Sequence, residues 1–74
     1  MDKRKKAFLK KLAARIVYLR EKQGISQAQL AEKCDKDKQS INRLEKGNVN
    51  PSAFYLQEIA DALAVTLNEV LKIE

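Results

Sequence analysis

Between Gly24 and Pro51 the chain carries two short stretches of helical apolar spacing, separated by only three polar residues, Asp35, Lys36 and Asp37. Nothing else in the sequence restricts the fold as tightly, because two helices joined by so short a turn must cross steeply about a tight bend. The first stretch opens at Ser26, whose hydroxyl is placed to accept from the backbone N–H of Gln29 while the Gln29 side chain reaches back, as in a capping box. It buries Leu30, Ala31 and Cys34. Asp37 is placed to cap the second stretch, Ile41 and Leu44 give that stretch its buried side, and Gly47 stops it.

The flanks supply further helices. Leu9, Leu12, Ala13, Ile16 and Leu19 form one apolar stripe ahead of Gly24. After Asn48, Val49, Asn50 and Pro51, Ser52 is placed to cap a helix whose stripe is Leu56, Ile59, Ala60 and Leu63. Thr66 and Glu69 form a second capping-box pattern, opening a short last helix with Leu67, Val70 and Leu71. No run alternates apolar with polar residues as a strand would. The expectation is an all-α fold of five helices at about 3–22, 27–34, 38–46, 52–63 and 67–72. A 74-residue chain that is 45% apolar supports one modest core, so a single domain over 1–74 is expected, without repeats or a linker. Its core covers about 12–71, and 1–11 is a basic extension of the first helix.

The net charge of +5 is unevenly spread. Residues 1–22 hold nine Lys or Arg against two acids, residues 23–50 five against four, and residues 51–74 one against four. Such a chain can turn a basic surface toward a polyanion and keep an acidic surface away from it. The cluster Lys3, Arg4, Lys5, Lys6 reads either as an arm on DNA or as a solvated helix start. An amphipathic basic first helix also suits a membrane surface, although no membrane partner is expected. No stretch approaches the roughly 18 apolar residues that span a bilayer. The basic start is not followed by an apolar run of secretory type, and the single Cys34 has no internal disulfide partner, which together point to the cytoplasm.

Enzymatic chemistry finds no support. The chain has no His, its one Cys lacks a base, and neither a Gly-rich phosphate loop nor a carboxylate cluster of metal-ligand spacing occurs. No catalytic residue, metal or cofactor is expected. Cys34 reads as a small buried apolar side chain.

The helix over 38–46 is different. At about 100° per residue, turning Ile41 and Leu44 inward sends Gln39, Asn42, Arg43 and Lys46 outward, with Lys38 and Ser40 at the entering end. None of these six is acidic. Gln can bond adenine N6 and N7, and Arg or Lys can bond guanine O6 and N7, in a major groove about 12 Å wide that admits an α-helix.

The ordered segments Gly24-Ile25-Ser26-Gln27-Ala28-Gln29-Leu30-Ala31-Glu32-Lys33, Ser40-Ile41-Asn42-Arg43-Leu44-Glu45-Lys46-Gly47, Pro51-Ser52 and Ile59-Ala60-Asp61-Ala62-Leu63 resemble the XRE family. This is the phage-repressor and Cro type of helix-turn-helix, and the resemblance spans about Leu12 to Leu71. It implies a lambda-repressor-like domain in which Lys38, Gln39, Ser40, Arg43 and Asn42 approach base edges. It also implies that Gln27 holds a phosphate at the start of the second helix, with Lys46 and Asn48 on the backbone across the groove. Arg20 and Glu45 match positions that form an internal ion pair. Two positions depart from the family pattern. Asp35 and Lys36 replace the usual Gly and apolar residue of the turn, where Asp tolerates a left-handed backbone and Lys36 can lay its stem on the core and offer its ammonium to a phosphate. Ala64 stands where a Gly often ends the fourth helix.

The implied function is a sequence-specific regulator of double-stranded DNA, a repressor acting as a homodimer on half-sites about 34 Å apart. Phe54, Tyr55, Val65 and Ile73 are the dimer-interface candidates, the two aromatics because they lie off the apolar stripe of their helix. The alternative is a protein-interaction module or an antitoxin-type partner using the same fold, with Phe54 and Tyr55 meeting another protein.

Overall fold

A computed structural model describes residues 2–73, which fold as α1 (Lys3–Lys22), α2 (Gln27–Lys33), α3 (Lys38–Glu45), α4 (Ala53–Ala62) and α5 (Leu67–Val70). No strand occurs among the described residues, and Met1 and Glu74, the outer limits of the expected domain, lie outside them. Each helix starts at a side-chain cap. Asp2, Ser26, Asp37, Ser52 and Thr66 accept a hydrogen bond from the backbone N–H three residues on, at 2.7–3.1 Å. Such a cap typically contributes about 1 kcal/mol, a large share for helices of two turns that could not stand alone. At α2 the bond is reciprocal, because the Ser26 N–H donates to the Gln29 side chain at 2.7 Å.

The expected boundaries hold to within two residues, since α2 to α5 each end one or two residues early, at caps rather than in further helix. One expected feature is corrected. Thr66 and Glu69 make only half of a capping box, because the Glu69 carboxylate is drawn away to Arg15 of α1, 3.0 Å from the guanidinium Nη2. Arg15 Nε also donates to the Glu69 carbonyl at 2.8 Å, so α1 clamps the start of α5.

The helices pack in a closed circuit: α1 lies against α3 and α5, α2 against α3 and α4, and α4 against α5. The apolar stripes read from the sequence all point into its centre. Leu12, Ile16, Leu19, Leu30, Ala31, Cys34, Ile41, Leu44, Leu56, Ile59, Ala60, Leu63 and Val70 form one core, and Leu9 and Ala13 of α1 are buried as well. Among the described residues no polar or charged residue is fully buried. Leu71 was expected on the apolar side of the last helix, but it sits past the end of α5 and is 42% exposed.

Four sharp turns, one per connection, hold the circuit at positions flagged by sequence. Asp35 and Ala64 adopt the left-handed backbone at φ 55°, and Gly24 and Gly47 do so at φ 70° and 74°. Gly47 is also sterically required: a Cβ there would meet Lys10 Cα at 3.2 Å and the Leu9 carbonyl at 3.3 Å. The end of α3 is thereby seated against the backbone of α1.

Candidate nucleic-acid interface

Because α3 is held between α1 and α2, one side of it is fixed and the other is free. Ile41 and Leu44 are buried, whereas Lys38, Gln39, Arg43 and Lys46 are exposed. Among the described residues these four side chains make no hydrogen bond or ion pair within the molecule. Gln39 and Arg43 are four residues apart, so they stand one above the other on the outer rim. Both are polar, neither is acidic, and each has its donors unspent.

The flanks of α3 are less open than the sequence implied. Asn42 was expected to face outward, but it is half-buried and its Nδ2 donates to Gln27 Oε1 at 3.3 Å. Ser40 is half-buried on the opposite flank, where Tyr55 of α4 stands. The outermost face therefore narrows to Gln39 and Arg43, with Lys38 and Lys46 at its two ends.

A continuous polar network fixes the inner flank. Arg20 of α1 grips Glu45 of α3 with two prongs, Nε to Oε2 at 2.6 Å and Nη2 to Oε1 at 2.9 Å. The third contact of the guanidinium, Nη1 to the Ile25 carbonyl at 2.8 Å, ties the pair to the loop before α2. Glu45 Oε1 also accepts from Gln27 Nε2 at 2.9 Å, and Gln27 in turn receives Asn42. The Glu45 side chain is only 4% exposed, so this bidentate, charge-assisted pair is shielded from water, and its hydrogen bond holds the Arg20 pKa above the ordinary value. Arg20 is thus a structural tie between α1 and α3. Gln27, the residue expected at a phosphate, has its amide turned inward to Glu45 and Asn42. Its oxygen and nitrogen each have a partner, and the residue is half-buried.

Lys36 also departs from expectation. Its ammonium is 3.0 Å from Glu58 of α4 and lies over the Tyr55 ring, 5.1 Å from the centroid. The carboxylate raises the Lys36 pKa. The charge meant for a phosphate is engaged inside the molecule, bracing the turn against α4. Tyr55 is corrected with it. Rather than an exposed aromatic it is half-buried and packed against the core, with its buried hydroxyl beside Ser40. Burial pushes that phenol pKa up. Val65 and Ile73 are likewise half-buried against the core, whereas Phe54 is 72% exposed.

Sequence reasoning reached the Arg20–Glu45 pairing through resemblance, but it missed the Gln27–Asn42 link, the Lys36–Glu58 pair and the Arg15–Glu69 clamp. These partners lie 15 to 54 residues apart, or on different helices with no shared period, so no local pattern announces them. Lys46 and Asn48 are exposed on the far side of α3, at its end and in the loop that follows.

The helix-turn-helix family HTH_3 matches residues 16–70. Among solved structures, the restriction-modification controller protein C.AhdI from Aeromonas hydrophila is similar over 88% of this chain and 94% of its own, at 31% identity and a TM-score of 0.85. The hypothetical transcription factor NHTF from Neisseria is similar over 89% of this chain and 76% of its own, at 26% identity and a TM-score of 0.84. An HTH_3 family transcriptional regulator from Vibrio cholerae shares the fold at 23% identity and a TM-score of 0.84, and the match occupies 37% of that longer chain. No match is found among curated protein sequences. The chain belongs to the XRE-type helix-turn-helix family, whose fold is that of DNA-binding transcription regulators. No helix among the described residues is long and apolar enough to cross a membrane.

Proposed function

We propose that the protein is a sequence-specific regulator of double-stranded DNA that inserts α3 into the major groove and represses transcription as a homodimer. One observation carries the reading: the outer face of α3 is carboxylate-free and has no partners within the molecule, while its inner face is locked by buried apolar residues and the Arg20–Glu45–Gln27–Asn42 network. A rigid helix with free donors suits base readout, because discrimination depends on holding bidentate groups in fixed geometry. Gln39 and Arg43 are the principal base-reading residues, and Lys38 contributes at the entering end. Ser40 and Asn42 act from the flanks, Asn42 through its bond to Gln27. Lys46 and Asn48 take phosphates, and Gln27 does so only by its exposed edge while it positions α3. Lys36 drops out of the phosphate set because Glu58 holds it.

The likeness to a restriction-modification controller and to a transcription factor supports a regulator over other uses of the fold. For the homodimer, Phe54 is the leading contact because it is the most exposed large apolar side chain among the described residues, and Val65 and Ile73 are secondary. The same exposed Phe54 favours the second reading, a protein-interaction module. Selection from a random duplex library separates the two: a regulator enriches a short palindrome, whereas an interaction module enriches nothing.

A further inference from the structure

The first turns of α1 carry Lys3, Lys6 and Lys10, spaced by three and four residues, so the three share one face of the helix. All are exposed, and among the described residues none forms an ion pair. Their face is identified by what α1 touches. From one flank Arg20 reaches Glu45 of α3, and from the other Arg15 reaches Glu69 of α5. Lys10 belongs to the α3 flank, because Gly47 at the end of α3 sits against its backbone, where an added Cβ would meet Lys10 Cα and Cγ at 3.2 Å. Gly47 lies between Lys46 and Asn48, the two residues assigned to phosphates. Beyond it the α3–α4 loop passes under the start of α1, where Asn50 lines an open groove with Asp2, Arg4, Lys5, Phe8 and Leu9.

We propose that Lys3, Lys6 and Lys10 form a second phosphate-binding stripe for duplex DNA, continuous with Lys46 and Asn48, that lengthens the footprint beyond α3 and its loop. The inference rests on the DNA-binding reading above. From Lys3 to Lys10 the stripe runs about 10 Å along the axis, at roughly 1.5 Å per residue. It presents three separate ammonium groups to a polyanion that carries one charge per about 1.7 Å of duplex. Helical order strengthens the effect: the Lys5 N–H is capped by Asp2 at 2.8 Å, so the stripe is presented by a formed helix rather than by a free arm. The stripe reads no bases and acts on register and affinity alone.

The test uses the full chain and a duplex recovered by library selection, synthesised once with a helical turn of flanking DNA and once trimmed to the selected site. Binding is measured over a range of salt for the wild type and for the variant combining Lys3→Gln, Lys6→Gln and Lys10→Gln. A control combining Lys11→Gln, Lys22→Gln and Lys72→Gln removes the same charge from the other side of α1 and from the segment past α5. On the long duplex the stripe variant is expected to lower the slope of log K against log salt by about 2 to 3, and the control by less than 1. On the trimmed duplex the wild type and the stripe variant are expected to bind alike. Equal slopes for the wild type and the stripe variant, or equal losses in both variants, overturn the proposal while leaving α3 readout intact. Failure of the wild type to select any site rejects the DNA-binding reading itself, and the stripe with it. Thermal melting checks that the variants fold, and a variant with Lys3→Gln and Lys6→Gln alone, clear of the Gly47 contact, repeats the comparison if the triple variant does not.

Discussion

Tyr55 shows how a single side chain can join an apolar and a polar contact. Its ring supports the Lys36 ammonium and packs on the core, and its buried hydroxyl lies beside Ser40. A single hydroxyl–hydroxyl contact contributes roughly 1 kcal/mol or less net, so Tyr55→Phe is expected to change stability by less than about 1 kcal/mol in urea denaturation and to leave the fold unchanged. Cys34 makes a second case. Burial pushes its thiol pKa up, and its Sγ lies 3.2 Å from the Leu30 carbonyl. The unfolded chain therefore releases this proton at a lower pH than the folded one. The contribution is fully present below about pH 8.5 and is lost as pH rises through the folded value, so stability falls on the alkaline side. Denaturation midpoints measured at pH 7.5 and pH 10 are expected to differ less in Cys34→Ala than in the wild type.

Between elements, the decisive contact is the one that holds α3 to α1. Removing one member of a shielded ion pair leaves the other charge stranded, at a typical cost of 3–5 kcal/mol. Glu45→Ala strands Arg20 and also releases Gln27, so a loss of about 3 kcal/mol in urea denaturation is expected. Arg20→Ala and the double variant complete a cycle in which the two losses are expected not to add, because each breaks the same contact. The individual helices were legible in the sequence because caps and stripes are local: Ser26, Asp37, Ser52 and Thr66 sit next to the apolar spacing they serve. The left-handed turns at Asp35 and Ala64 were legible through their places in the family pattern. The choice of side-chain partners was not. Glu69 has two local options, its own cap or a distant arginine, and only the packing of α1 against α5 decides for Arg15. Tyr55 lies beside the apolar stripe of α4 in projection, yet the α2–α3 turn and its Lys36 cover it. Asn42 and Gln27 meet only once α2 and α3 have crossed.

Over the whole molecule, charge and shape agree. The basic residues concentrate in α1, the last third of the chain holds one Lys against four acids, and α4 and α5 close the circuit away from the free face of α3. Polarity of this kind orients a small protein on a polyanion before any base is read, and base contacts then supply selectivity. The central claim is that selectivity resides on the outer rim of α3. Its most direct test is the affinity of wild type and Arg43→Ala, at one fixed salt concentration, for a selected duplex and for every single-base-pair change within it. The expected result is a loss of roughly 1–3 kcal/mol on the selected site, with discrimination relaxed at one base pair in each half-site and kept elsewhere. Unchanged affinity and unchanged preference at every position would contradict the assignment of α3 as the reading helix.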